Sequence, residues 1–151
     1  MTFQNRADAG KQLAQKLAHL KGVENLIVLG LPRGGVAIAA EIASALNAPL
    51  DVIICRKIGV PGNEEFAIGA ISEDGGEFLN LEMIGIYGID RAYIDKTINQ
   101  ENKKISLYQK AFRGGKPLPP LKQKTVVIAD DGAATGYTIK AAIDAARKLE
   151  A

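Results

Sequence analysis

Apolar residues gather in three short runs: Leu26 to Leu31, Leu50 to Cys55 with Asp51 as its one polar member, and Val126 to Ala129. Runs of this length with little alternation predict strands buried on both faces, which in a chain of this size means a parallel sheet covered by helices. The segments around them have helical spacing. From Asn5 to Leu20, residues Gly10, Leu13, Leu17 and Leu20 share one face while Lys11, Gln12, Gln15 and Lys16 lie elsewhere. Asn5 is placed to cap that helix and Asp8 to meet its dipole, and Lys21-Gly22 ends it. Val36 to Leu46 and Ile139 to Leu149 predict helices that follow the first and last runs.

The middle of the chain reads differently. From Ile58 to Glu77 it is rich in Gly, Pro and acidic residues, which predicts a hairpin with a mobile loop at about 58–66. Phe78 to Tyr87 reads as a strand or extended segment. Asp90 to Phe112 predicts a long helix, with Ile94, Ile98, Ile105, Tyr108 and Phe112 at helical spacing. Its lysines, with Glu101 beside them and little aromatic interleaving, read as a solvated face rather than an RNA-binding one. Gly114-Gly115 stops it, and Pro117, Pro119 and Pro120 stiffen the approach to the last strand. The expectation is one α/β domain over residues 1–151, with a mostly parallel twisted sheet, helices on both faces, an N-terminal helix, and an inserted hairpin and long helix.

Composition narrows the function classes. With 47% hydrophobic and 24% charged residues, the chain fits an ordinary globular protein and not a disordered or fibrous one. A net charge of +2 gives no reason to expect a nucleic-acid or membrane partner, though it permits local basic spots for polyphosphate. Cys55 is the one cysteine and reads as a buried thiol, while His19 reads as a surface residue, so a zinc site lacks ligands. No signal-peptide run and no stretch of membrane-spanning length is evident, so a cytoplasmic location is the default expectation.

The chemistry is concentrated after the last apolar run. Val126-Val127-Ile128-Ala129 leads into Asp130-Asp131, then Gly132-Ala133-Ala134-Thr135-Gly136-Tyr137-Thr138, and then an alanine-rich helix. A small-residue loop opening a helix can wrap a phosphate, because the first backbone N–H groups are unpaired and the helix end is partly positive. Hydrogen bonds to a charged oxyanion contribute about 1.5–3 kcal/mol each, so four or five could hold a monophosphate without a lysine. The loop has no lysine, which argues against a Walker-type site. Adjacent carboxylates normally repel, and become favourable when they accept from a diol or face a hydrated cation. A phosphate site beside a hydroxyl-reading acidic pair describes a ribose 5-phosphate. Taken alone, Asp-Asp-Gly would be a β-turn and Thr138 a helix cap. Leu31-Pro32-Arg33-Gly34-Gly35 repeats the pattern of strand, glycine turn and helix, giving a second candidate anion site. A Gly-x-Gly-x-x-Gly dinucleotide run is absent there.

Residues 126–138 resemble the phosphoribosyl diphosphate (PRPP) motif of type I phosphoribosyltransferases: hydrophobic strand, two acids, and a loop ending in Thr-Gly-x-Thr. The resemblance implies that Asp130 and Asp131 hold the ribose hydroxyls and, through water, Mg²⁺. It implies that Gly132, Ala133, Ala134, Thr135, Gly136, Tyr137 and Thr138 bind the 5-phosphate. Pro32-Arg33-Gly34-Gly35 is similar to the family's pyrophosphate loop, which often carries a non-proline cis peptide. Arg33, Gly34, Gly35 and the basic pair Arg56-Lys57, expected at the end of the third strand, would meet the leaving pyrophosphate. The 58–66 loop would close over PRPP. The implied reaction is Mg-dependent transfer of phosphoribose from PRPP to a nitrogenous base. Catalysis would rest on positioning and charge stabilisation, with Asp130, Asp131 and Arg33 as the catalytic groups.

Two departures qualify the resemblance. Relatives continue with at least one more strand where this chain ends at Leu149-Glu150-Ala151, so the expectation is either a C-terminally truncated domain or an edge completed by another subunit, and in both cases a homodimer or larger assembly. Enzymes of the group that use oxopurines carry an aspartate where Ala134 stands, which argues against that acceptor class. The alternative function is a non-catalytic PRPP or nucleotide sensor of the same fold. Retention of Arg33, Arg56 and Lys57 favours the enzyme.

Overall fold

The computed structural model describes residues 3–151 and divides into two compact units. One holds the chain up to Ile53 together with Leu118–Ala133 and Ala146–Ala151, and the other holds Ile54–Pro117 and Ala134–Ala145.

The first unit is built around β1 (Leu26–Gly30), whose five residues are all buried. It pairs in parallel with β2 (Leu50–Val52) on one side and β6 (Thr125–Ala129) on the other, in the order β2-β1-β6. α1 (Arg6–Lys16) starts at Asn5, whose side chain accepts from the Asp8 N–H at 2.9 Å. α2 (Gly34–Leu46) ends at Asn47 in the left-handed region, the usual way for a helix to satisfy its last carbonyls. Leu26 and Val28 of β1 join Ile38, Ala39, Ile42, Ala43 and Leu46 of α2, Ala14 of α1 and Ala129 of β6 in one core. At Gly10 a Cβ would stand 2.7 Å from Glu41 Cβ and 2.9 Å from the Ile38 carbonyl oxygen. Only glycine lets α1 approach α2 this closely.

The last apolar run departs from expectation. Val126, Val127 and Ile128 are half-buried and Thr125 is exposed, so β6 is not covered on both faces. The reason is its place in the sheet: among the described residues β6 has one neighbour, β1, and stands at the edge. The strand buried on both faces is β1.

The second unit corrects three expectations. The run from Leu50 to Cys55 is not one strand, since β2 stops at Val52 and β3 (Cys55–Val60) begins a separate antiparallel sheet with β4 (Asn63–Ser72) and β5 (Glu77–Leu79). The β2-β1-β6 sheet is parallel, as expected, and the inserted hairpin with β5 makes up the separate antiparallel sheet. Phe78 to Tyr87 does not stay extended: β5 ends at Leu79, and Asn80 accepts from the Met83 N–H at 3.0 Å to start α3 (Leu81–Ile86). The long helix α4 (Arg91–Arg113) forms as predicted, capped by Asp90 and ended by Gly114 at φ +60°. Glu101, however, is buried, because Arg56 of β3 and Lys104 reach it. The hairpin between β3 and β4 turns at Pro61-Gly62, with Gly62 at φ +78°. No helix among the described residues is long and apolar enough to cross a membrane.

A second buried acid anchors this unit. Glu73, 3% exposed at its side chain, accepts the Ile54 N–H at 2.9 Å and the Gln109 amide at 3.0 Å and pairs with Arg113 of α4. Removing the cation would leave Glu73 buried without its counter-charge, which costs about 3–5 kcal/mol. Arg113→Met should lower the unfolding free energy in a denaturant titration by about that much. A loss under about 1 kcal/mol would show that Glu73 escapes to water on its own.

Candidate functional site

Register in the first unit places the site. Gly30 pairs with Ala129, and Leu31 N–H donates to the Ala129 carbonyl at 2.9 Å, so both strands end at one level and their following segments leave the sheet together. Ligands of α/β sheets gather at such carboxyl ends. The segment after β1 has a cis peptide between Pro32 and Arg33, as the resemblance anticipates. Gly34 and Gly35 then open α2. A Cβ on Gly34 would overlap the Asp131 carboxylate, and one on Gly35 would overlap the Ala129 carbonyl oxygen and stand 2.8 Å from Asp130 Cα. The glycine pair therefore packs directly against the acidic pair. The structure brings Gly34 and Gly35 to Asp130 and Asp131, with exposed Arg33 as the helix cap beside them.

The two carboxylates are in different electrostatic states. Burial pushes the Asp130 carboxyl above its ordinary value of 3.8; the Asp131 N–H donating to Oδ1 at 2.8 Å opposes this, and the nearby Asp131 charge reinforces it. Asp131, one-third exposed, receives both Nε and Nη2 of Arg6 on Oδ2, at 2.8 and 2.6 Å. Sequence reasoning missed Arg6. Its one signal was a cation in the first turn of a helix, where the dipole disfavours it and some other partner must be sought.

The loop that follows is open. Asp131 through Thr135 are exposed, and Gly136, at φ +73°, accepts from the Lys140 N–H at 2.9 Å to begin α5 (Tyr137–Lys148). That φ requires glycine at 136, whereas at Gly132 nothing lies within reach of a Cβ. Thr138 is half-buried in the first turn of the helix. The Tyr137 hydroxyl accepts from the Asn80 amide at 2.7 Å and its ring lies 5.9 Å from that of Phe78, so the side chain serves packing.

Arg56 and Lys57 are not where the third run placed them. Both lie inside β3 of the antiparallel sheet. Arg56 Nε donates to Glu101 Oε2 at 2.7 Å, and its guanidinium sits 5.6 Å from the centre of the Tyr108 ring. Lys57 pairs with Glu65 at 2.6 Å. At Glu101 burial pushes the carboxyl up, but hydrogen bonds from Lys104 and Arg56 outweigh it and hold the group below its usual range.

The raised Asp130 carboxyl yields a test. A carboxyl whose pKa is higher folded than unfolded contributes stability that is present below its ordinary value and is lost as pH rises through the folded value. Asp130→Asn should therefore raise Tm near neutral pH, with the gain vanishing below about pH 3. A gain that stayed constant across that range in calorimetric scans would contradict the buried-charge account.

The sequence profile of the phosphoribosyl transferase domain matches residues 2–151. A Mycobacterium tuberculosis protein provisionally named as a phosphoribosyl transferase, from strains H37Rv and CDC 1551, is 47% identical over 145 residues covering 96% of this chain. The chain spans about a third of that relative's length, 32%. The crystal structure of TT1426 from Thermus thermophilus superposes with a TM-score of 0.76 at 39% identity, covering 99% of this chain and 70% of that one. Purine phosphoribosyltransferase from Pyrococcus horikoshii, at 22% identity, shares the fold, with a TM-score of 0.54 over 100% of this chain and 68% of that chain.

Proposed function

Because the chain belongs to the phosphoribosyl transferase domain family, we propose that it transfers the phosphoribosyl group of PRPP to a nitrogenous base or related acceptor, releasing pyrophosphate. The observation that carries this reading is the contact of Gly34 and Gly35 with the Asp130-Asp131 turn, which supports reading the glycine turn as a pyrophosphate loop beside the acidic pair. In the reaction a ring nitrogen attacks the anomeric carbon, the bond from that carbon to the pyrophosphate oxygen breaks, and its electron pair leaves with pyrophosphate. The carbon inverts.

Asp130 and Asp131 accept from the ribose hydroxyls, and the backbone of residues 132–138 takes the 5-phosphate. Arg33, Gly34 and Gly35 stabilise the charge that builds on the leaving group. A hydrated Mg²⁺ fits the acidic pair, a hard oxygen donor set in which Asp130 has no cation partner among the described residues, and when bound it would neutralise phosphate charge. The family resemblance also assigns Arg56 and Lys57 to pyrophosphate, but the reading does not depend on them. An oligomer and a cytoplasmic location belong to the same proposal. The acceptor is left as a class, and Ala134 in the exposed loop offers no carboxylate to an oxopurine.

Calorimetry should show PRPP binding only with Mg²⁺. Asp131→Asn should weaken it about tenfold or more, the loss of one charged hydrogen bond. Equal binding by the mutant would count against the assignment. A pyrophosphate-release assay with a panel of bases then separates the two functions: turnover identifies an enzyme, while PRPP binding without turnover identifies a sensor. Arg6 must leave Asp131 before sugar or hydrated cation can approach. Its exposed ion pair is worth about 0.2–1 kcal/mol, so Arg6→Ala should tighten Mg·PRPP binding by a factor between about 1.4 and 5. Weaker binding would show instead that Arg6 holds Asp131 in its working position.

A further inference from the structure

The loop assigned above to the 5-phosphate is tied to the rest of the chain by very little. From Gly132 to Ile139 no backbone N–H finds a hydrogen-bond partner among the described residues, which leaves those donors to an anion. The Lys140 N–H closes on the Gly136 carbonyl at 2.9 Å, a bond that stays inside the segment. Among the described residues one hydrogen bond joins residues 132–139 to an element other than α5, and it runs from the Asn80 amide to the Tyr137 hydroxyl at 2.7 Å. Both residues are half-buried, and both belong to the second unit.

Asn80 is itself fixed from two other directions. Its N–H donates to the Ile68 carbonyl of β4 at 2.8 Å, and its Oδ1 accepts from the Met83 N–H of α3 at 3.0 Å. With Oδ1 committed to the helix cap, the orientation of the amide is determined, and Nδ2 is the atom left to face Tyr137. Tyr137 is also held by its ring. The Phe78 ring of β5 lies 5.9 Å away, and exposed Lys140 places its Nζ 5.4 Å from the centre of the Phe78 ring and 5.6 Å from that of Tyr137.

Freedom that a loop keeps before binding must be given up when it wraps a phosphate, so a contact that removes it beforehand tightens binding without touching the ligand. We propose that Asn80 is the positioning residue of the 5-phosphate loop: through the Tyr137 hydroxyl it fixes the start of α5, so that the N–H groups of residues 132–138 are aimed at one phosphate. This role rests on the phosphoribosyl-transfer reading. It requires no contact between the Asn80 side chain and PRPP.

Two variants break the same bond from opposite ends. Asn80→Ser keeps a hydroxyl to cap α3 but is too short to reach Tyr137, and Tyr137→Phe keeps the ring and loses the acceptor. In titration calorimetry of the full chain, each should bind ribose 5-phosphate about two- to tenfold more weakly, the range for one neutral hydrogen bond. The double variant should be no weaker than either single one. Mg-pyrophosphate has no 5-phosphate to place, and its affinity for Asn80→Ser should stay within about twofold of the unsubstituted chain, a selectivity that a general loss of structure would not produce. Losses that add in the double variant, losses that extend equally to Mg-pyrophosphate, or unchanged ribose 5-phosphate affinity in both single variants would each overturn the positioning role alone. An unsubstituted chain that binds no ribose 5-phosphate would overturn the phosphate-loop reading and this role with it.

Discussion

The pairing of Gly30 with Ala129 is the constraint on which the candidate site depends. Parallel strands that end in register deliver their following segments to the same place, and here those segments are a glycine pair and an acidic pair. The fit is tight in a directional way. Gly35 lies against the Ala129 carbonyl and Gly34 against the Asp131 side chain, so neither position can accept a Cβ without moving the carboxylates. A shift of register by one residue would separate the two segments and turn the β6 side chains over. The core that holds the register is ordinary: Leu26 and Val28 under α2, with Ala129 from β6 completing it.

That geometry keeps two acids together at a cost in stability. Half-burial and the Asp131 charge both oppose ionisation of Asp130, and only the Asp131 N–H works the other way. Arg6 relieves Asp131 from outside, through an exposed contact. A fold selected for stability alone would place an amide or an apolar residue at 130. Retaining a strained pair of like charges is the arrangement expected where a diol or a cation is to complete the electrostatics.

Much of this was legible in sequence, for a physical reason. The strand, acid and loop run from 126 to 138, and the turn from 31 to 35, are local: their conformations follow from consecutive residues, and the helices after them have clear periods. What could not be read was long-range. β6 looks like a two-sided buried strand in composition, but its burial depends on its neighbours in the sheet, and Val126 to Ile128 are left half-covered at an edge. The break after Val52 is equally invisible, since Ile53 and Ile54 continue the apolar run while their N–H groups go to different partners, Gly30 in one case and Glu73 in the other. Arg56 moved with that break. Glu101 looked like part of a solvated lysine face because one of its two partners, Arg56, lies 45 positions away. Asn80, by contrast, was a readable helix cap that the apolar residues around it obscured.

The two units treat acids in opposite ways, and the contrast bears on what each can bind. In the second, Glu73 and Glu101 are buried and fully answered, by Arg113, Gln109 and a backbone N–H in the first case and by Arg56 and Lys104 in the second. Their charges are consumed in holding α4 to the antiparallel sheet. In the first, Asp130 is half-buried with no cation partner among the described residues, and Asp131 has one that solvent can compete for. A surface left with unspent negative charge recruits cations and hydroxyl donors, and one left with unspent positive charge recruits anions.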